Sequence, residues 1–206
     1  MPHVKICGVT SADDALAAID LGASSIGLNF VPSSPRKMDV ARARAIADAI
    51  HATQKKVIVV GVVADLSVDE MRALVRDAGL DCLQLHGDET PEVLSPLLPH
   101  AYKAVRIANA ADAARAATFP GEYILVDAKV EGALGGTGAT FDWSLVADLA
   151  KTKKLTLAGG LTPANVAIAV AAVRPYCVDV ASGVESSPGV KDHAKMRAFI
   201  EAAQRA

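Results

Sequence analysis

Residues 154–189 read KLTLAGGLTPANVAIAVAAVRPYCVDVASGVESSPG. Two short strand-like runs, KLTL and CVDV, each end in a glycine turn, and a helix candidate opened by Thr162 and Pro163 lies between them. Strand, helix and strand in succession make a parallel crossover unit. The turns fall at Gly159-Gly160 and Ser182-Gly183. Glycine lets the backbone approach a ligand closely, and the N–H groups of such a turn can donate to phosphate oxygens. In β/α barrels, phosphate sites recur in the loops after the last two strands. Either turn alone reads as an ordinary strand-to-helix connection. Two at matching positions favour a phosphorylated small molecule.

The same unit repeats outward to the N-terminus. Strand candidates are HVKICG, SSIGLNF, KKVIVVGVV, CLQLHG, YKAVRIA and EYILVDAK, followed by the two already quoted. Ser11, Asp39, Ser67 and Thr90 open helix candidates, Gly22 and Gly79 close two of them, and further helices are expected over DWSLVADLAK and from Thr162. Strand–helix alternation implies a parallel sheet with crossover helices. Eight units at a spacing of roughly 25 residues predict a closed (β/α)8 TIM barrel, α/β in class, formed by residues 1–206 as one domain. An open doubly wound sheet is the alternative, and its dinucleotide fingerprint is missing.

Composition narrows the class of partner. Hydrophobic residues make up 51% of the 206, enough to fill an enclosed core. A net charge of -2, with Lys and Arg scattered, argues against nucleic acid. No apolar run approaches the ~20 residues of a membrane span, and MPHVKICG lacks the layout of a signal peptide. Cys7, Cys82 and Cys177 form an odd set without metal-type spacing, which fits a reducing cytoplasm.

Strand alternation then nominates side chains. Val4 and Ile6 are expected to face the helices, leaving Lys5 and Cys7 inside the barrel. A nearby lysine favours the thiolate, so Cys7 is a candidate base or nucleophile, against the plainer reading of a buried small hydrophobe. Cys82 and Cys177 begin their strands, at the opposite face, and read as structural. Asp127 projects inward beside Leu125, either as a general acid whose neutral form burial favours or as an aspartate bonded to loop N–H groups. Arg36, in a loop stiffened by Pro32 and Pro35, offers a bidentate grip for a carboxylate, or is a surface arginine. His86 shares the inward parity of Gln84 and is a ligand contact or a rim histidine. The glycine-rich loop 129–140 is a lid or a tight structural loop.

KICGVT, GLNFVPSSPR, LQLHGDE, VDAKVEGALGGTGATFDW, LAGGLTPANV and VDVASGVESSPGVKD stand in the order that resembles the phosphoribosylanthranilate isomerase family of tryptophan biosynthesis. The resemblance spans nearly the whole chain. It implies an Amadori rearrangement of N-(5-phosphoribosyl)anthranilate to 1-(2-carboxyphenylamino)-1-deoxyribulose 5-phosphate, without metal or organic cofactor. Carried over by position, it implies Cys7 as general base, Asp127 as general acid and Arg36 on the anthranilate carboxylate. Gly159, Gly160, Ser182 and Gly183 would hold the phosphate, with His86 lining the site. Such a pair needs its pKa values pushed apart, the thiol down and the carboxyl up.

Asn29 and Ala181 depart from the family pattern, where an aliphatic residue and a serine are expected. Rival readings are a Schiff-base aldolase using Lys5 or Lys103, a non-catalytic ligand-binding subunit, and a dual isomerase, which would carry an aspartate at position 7. Monomer and homodimer both remain open.

Overall fold

Runs rich in Val, Ile and Leu become parallel strands in the computed structural model, which describes residues 1–128 and 142–206. These are β1 His3–Cys7, β2 Ser25–Asn29, β3 Ile58–Val63, β4 Cys82–Leu85, β5 Ala101–Ile107, β6 Tyr123–Ala128, β7 Lys154–Leu157 and β8 Cys177–Val180. Each strand pairs with the next, and β8 returns to β1 with Lys5 opposite Asp179. The sheet closes as the (β/α)8 barrel expected from the sequence. The 129–140 loop lies outside the described residues.

The helices are α1 Ala12–Asp20, α2 Val40–Ala52, α3 Val68–Ala78, α4 Pro91–Leu94, α5 Ala110–Thr118, α6 Leu149–Thr152, α7 Val166–Val173 and α8 His193–Gln204. Ser11 and Asp39 cap α1 and α2 through side-chain oxygens, and Ser67 with Glu70 forms a capping box on α3. Gly79 closes α3 in the left-handed conformation that glycine adopts without penalty. Thr90 precedes α4 but makes no side-chain cap bond.

Two helix expectations need correction. The Asp142 side chain accepts from the Ser144 N–H, and the chain tightens into a 3-10 turn, Trp143–Val146, before the short α6. Asn165 delays α7 in a similar way. Its Oδ1 accepts from the Thr162 N–H at 2.7 Å and its Nδ2 donates to the Gly160 carbonyl at 2.9 Å. Residues 162–165 therefore brace the glycine turn, and the helix starts at Val166.

Strand parity decides what lies inside. Val4, Ile6, Val178 and Val180 join the buried layer between strands and helices. Burial of each such side chain stabilises the fold by about 1.5–3 kcal/mol. The barrel interior holds two small apolar clusters, Cys7–Val31–Val62 and Ala104–Leu125–Ala158. Between them runs a polar group: Lys5 Nζ donates to Asp179 Oδ2 (3.0 Å) and Gln84 Oε1 (2.7 Å), and Tyr102 Oη donates to the same Gln84 oxygen (3.1 Å). Lys103 does not point inward. It shares the parity of Val105 and is held by Glu89 and the carbonyls of Leu85, Gly87 and Ala104. Among the described residues no helix is long and apolar enough to cross a membrane.

Candidate active site at the C-terminal mouth of the barrel

Side chains at the C-terminal strand ends surround a cavity of about 450 Å³. Cys7, Arg36, His86, Asp127, Gly159, Gly160, Ser182 and Gly183 all line it. Strand order explains how residues so far apart in sequence meet. Around the rim run β6, β7, β8, β1 and β2 in turn. Asp127, the Gly159-Gly160 turn, the Ser182-Gly183 turn, Cys7 and the Arg36 loop thus follow one another along half the mouth. His86, after β4, enters from the other half.

Glycines make room at two of these places. Gly8 has φ +69°, and a Cβ there would collide with the Arg36 Cδ, so the arginine stem lies over the end of β1 only because residue 8 is glycine. A Cβ on Gly183 would strike the Leu161 carbonyl oxygen, which packs the β7 and β8 turns against each other. Gly159 and Gly160 have φ of +88° and +63°, and their N–H groups donate to no other described residue.

The Cys7 thiol departs from expectation. Burial pushes it up, the Lys5 charge opposes that, Asp179 adds to the rise, and the outcome lies above the ordinary cysteine value. The lysine is near Cys7 in sequence, whereas its partner Asp179 lies 174 residues away from it. Burial disfavours the Lys5 charge, yet Asp179 beside it holds its pKa well above the lysine range. The ammonium is already engaged by Asp179 and Gln84. That also leaves it poorly placed as a Schiff-base nucleophile.

Arg36 is engaged as well. Its Nε and Nη2 each donate to a Glu185 carboxylate oxygen at 2.7 Å, a buried bidentate pair. Glu185 begins β9, Glu185–Ser187, which pairs with β10, Val190–Lys191, in a hairpin after the 3-10 turn Ser182–Val184. Lys191 Nζ donates to Glu185 Oε1 (2.9 Å), the Cys7 carbonyl (2.6 Å) and the Ala181 carbonyl (3.1 Å). Burial raises the Glu185 carboxyl, but the hydrogen bonds and charges of Arg36 and Lys191 outweigh it and leave the pKa lowered. Two cations against one carboxylate keep the cluster at +1, attractive to an anion. The Arg36 Nη1 remains without a partner among the described residues.

Two buried atoms face the cavity with no hydrogen-bond partner among the described residues, His86 Nε2 and Asp179 Oδ1. His86 Nε2 stands 3.5 Å from Asp127 Oδ2, too far for a good hydrogen bond. Buried polar atoms are nearly always paired, so unpaired ones in a cavity mark where a ligand would bond. Asp179 escaped the sequence reading, although its place between Val178 and Val180 was a usable signal of inward parity. Asn29 satisfies part of its amide by accepting from the Val31 N–H at 2.8 Å. No three His, Cys, Asp or Glu side chains gather as a metal site among the described residues.

Residues 4–202 match the family model described as N-(5′-phosphoribosyl)anthranilate (PRA) isomerase. The chain belongs to that family. An N-(5′-phosphoribosyl)anthranilate isomerase of Myxococcus xanthus is 46% identical over 98% of this chain and 96% of its own length. The phosphoribosyl anthranilate isomerase of Thermotoga maritima has a solved structure that superposes with a TM-score of 0.89 at 36% identity, covering 100% of both chains. Another solved structure of the family, in complex with reduced 1-(o-carboxyphenylamino)-1-deoxyribulose 5-phosphate, has a TM-score of 0.86 at 34% identity, again over 100% of both chains. The isomerase family thus accounts for the fold and for the order of motifs around the rim.

Proposed function

We propose that this chain converts N-(5′-phosphoribosyl)anthranilate to 1-(2-carboxyphenylamino)-1-deoxyribulose 5-phosphate, with Cys7 as base and Asp127 as acid. The observation that carries the assignment is the sequence of groups along the rim. The Cys7 thiol and the carboxyls of Asp127 and Asp179 share a cavity with Arg36 and two glycine turns. A substrate with a carboxylate at one end and a phosphate at the other matches those features. The Arg36–Glu185–Lys191 cluster takes the carboxylate, and the turns at Gly159-Gly160 and Ser182-Gly183 take the phosphate.

The chemistry needs two enzyme-assisted proton transfers before a final tautomerisation. Asp127 gives a proton to the furanose oxygen as the C1′–O bond breaks, and the nitrogen lone pair forms the C1′=N bond. Cys7 as thiolate then removes the C2′ proton, and the electron pair moves to make the C1′=C2′ bond while nitrogen is neutralised. Tautomerisation of that enol to the 2′-ketone completes an isomerisation in which nothing is gained or lost. Positioned acids and bases contribute about 10²–10⁴-fold each to such steps. Asp179 Oδ1, buried and unpaired at the cavity wall, is placed to accept from a substrate hydroxyl.

A fluorescence assay following the loss of freshly made phosphoribosylanthranilate tests the assignment. Turnover is expected with the wild-type chain and near-background rates with Cys7→Ala and Asp127→Asn. Equal rates in all three would overturn the roles, and no turnover in the wild type would overturn the reaction itself. The family's place in tryptophan biosynthesis fits a cytoplasmic enzyme acting on a small phosphorylated molecule, as monomer or homodimer.

A further inference from the structure

We infer that Gln84 is a positioning residue that fixes the tautomer of His86, so that the ring presents an N–H to Asp127 and the substrate. Lys5 Nζ lies 2.7 Å from one end of the Gln84 amide, and an ammonium has no lone pair. That end must be the carbonyl oxygen, and the Tyr102 hydroxyl at 3.1 Å donates to it as well. The other end is therefore the NH₂ group, and it lies 3.0 Å from His86 Nδ1. With a donor facing it, Nδ1 must accept, and the ring proton sits on Nε2. Gln84 is 1% exposed, and both ends of its amide are held by protein groups.

The consequence falls on Asp127, whose Oδ2 lies 3.5 Å from His86 Nε2. In the opposite tautomer the Nε2 lone pair would face the carboxyl and take the proton intended for substrate. With an N–H there, the proton can leave Asp127 only toward the substrate, and the carboxylate left behind faces a donor rather than a lone pair. A chain of contacts, Lys5 to Gln84 to His86 to Asp127, thereby ties the floor of the site to its acid. This role rests on the reaction proposed above, whereas the tautomer itself can be read without substrate.

The test uses protein labelled with ¹⁵N-histidine and long-range ¹H–¹⁵N spectra, with His86→Asn assigning the signals among the five histidines. The wild type is expected to show His86 protonated at Nε2 and bare at Nδ1. Gln84→Glu puts an acceptor opposite Nδ1 and should move a proton onto it, while Gln84→Met should let the two tautomers mix. In parallel, kcat should fall at least about tenfold, the lower end of what is typical when a partner orienting a metal-bound histidine is lost, with KM changed far less. A wild-type ring protonated at Nδ1, or a Gln84→Met spectrum identical to wild type, overturns the inference. So does an altered spectrum with kcat unchanged. Should Gln84→Glu fail to fold, the near-isosteric Gln84→Met carries both readouts. Because the spectra need no substrate, a wrong reaction and a wrong tautomer fail separately.

Discussion

The two ends of the barrel each hold a cavity, about 450 Å³ at the C-terminal mouth and about 370 Å³ at the N-terminal end. Both are lined by strand residues, both include cysteine, and Lys5 lies between them, lining the lower one while bonding Gln84 and Asp179 of the upper. Volume and composition do not separate them. Hydrogen-bonding capacity does. The upper cavity has His86 Nε2 and Asp179 Oδ1 buried and unpaired, whereas no buried unpaired side-chain atom lines the lower one among the described residues. At the lower end the polar edges are occupied by one another: Tyr123 and Tyr176 meet edge to face at 5.6 Å, and Lys154 sits 4.9 Å above the Tyr123 ring. A site for chemistry is a place where polar groups are buried before their partners arrive.

The cysteines give the sharpest way to break this contrast. Cys7→Ala should lower kcat by about a hundredfold or more, the contribution of a positioned base. Cys177→Ala, one removed thiol at the lower cavity, should leave kcat within about twofold, since it touches no proton in flight. Comparable losses from both in the phosphoribosylanthranilate assay would dissolve the distinction between the ends.

Ion pairs sharpen it next. Glu185→Leu leaves Arg36 and Lys191 buried beside each other without their carboxylate, a loss of about 3–5 kcal/mol in urea unfolding. Lys154→Met at the lower end removes an exposed pair with Glu122 and the contact with the Tyr123 ring, and should cost no more than about 1–2 kcal/mol. The upper pair also carries a pH signature. The folded Glu185 pKa is lowered, so its contribution is complete above the ordinary glutamate value of 4.5 and is lost as pH falls through the lower folded value. The gap in urea midpoint between wild type and Glu185→Gln should therefore close in acid. A gap that widens there would contradict the sign.

The smallest effect concerns the thiols themselves. With Cys82 and Cys177 replaced by serine, alkylation of Cys7 by iodoacetamide should begin at a higher pH than that of a free cysteine, because burial outweighs Lys5. Lys5→Met should move it higher still. In the wild type, Cys82 and Cys177, pushed by burial to about 11 and about 12, should react last. Alkylation of Cys7 at or below the pH of free cysteine would restore the simpler expectation of a lysine-activated thiolate.

What the chain alone determined is what depends on near neighbours. Period-two runs set the strands and the parity of Cys7, His86 and Asp127. Ser11, Asp39, Ser67 and Gly79 marked helix ends through bonds spanning three or four residues. The Gly159-Gly160 turn could be placed because a positive φ is a property of one residue, whereas Gly183 is required by the close approach of the Leu161 carbonyl. Helix expectations failed where a local side chain competed for the backbone, at Asp142 and Asn165. Beyond that range only the tertiary structure decided. Closing β8 onto β1 sets Asp179 against Lys5, 174 residues away, and the hairpin after β8 brings Glu185 to Arg36 across 149. Those pairings settle whether a lysine activates a thiol or is already neutralised, and whether an arginine waits free or is held in place. Charge and burial add over space rather than along the chain, so the groups were legible in the sequence while the sign of their mutual influence was not.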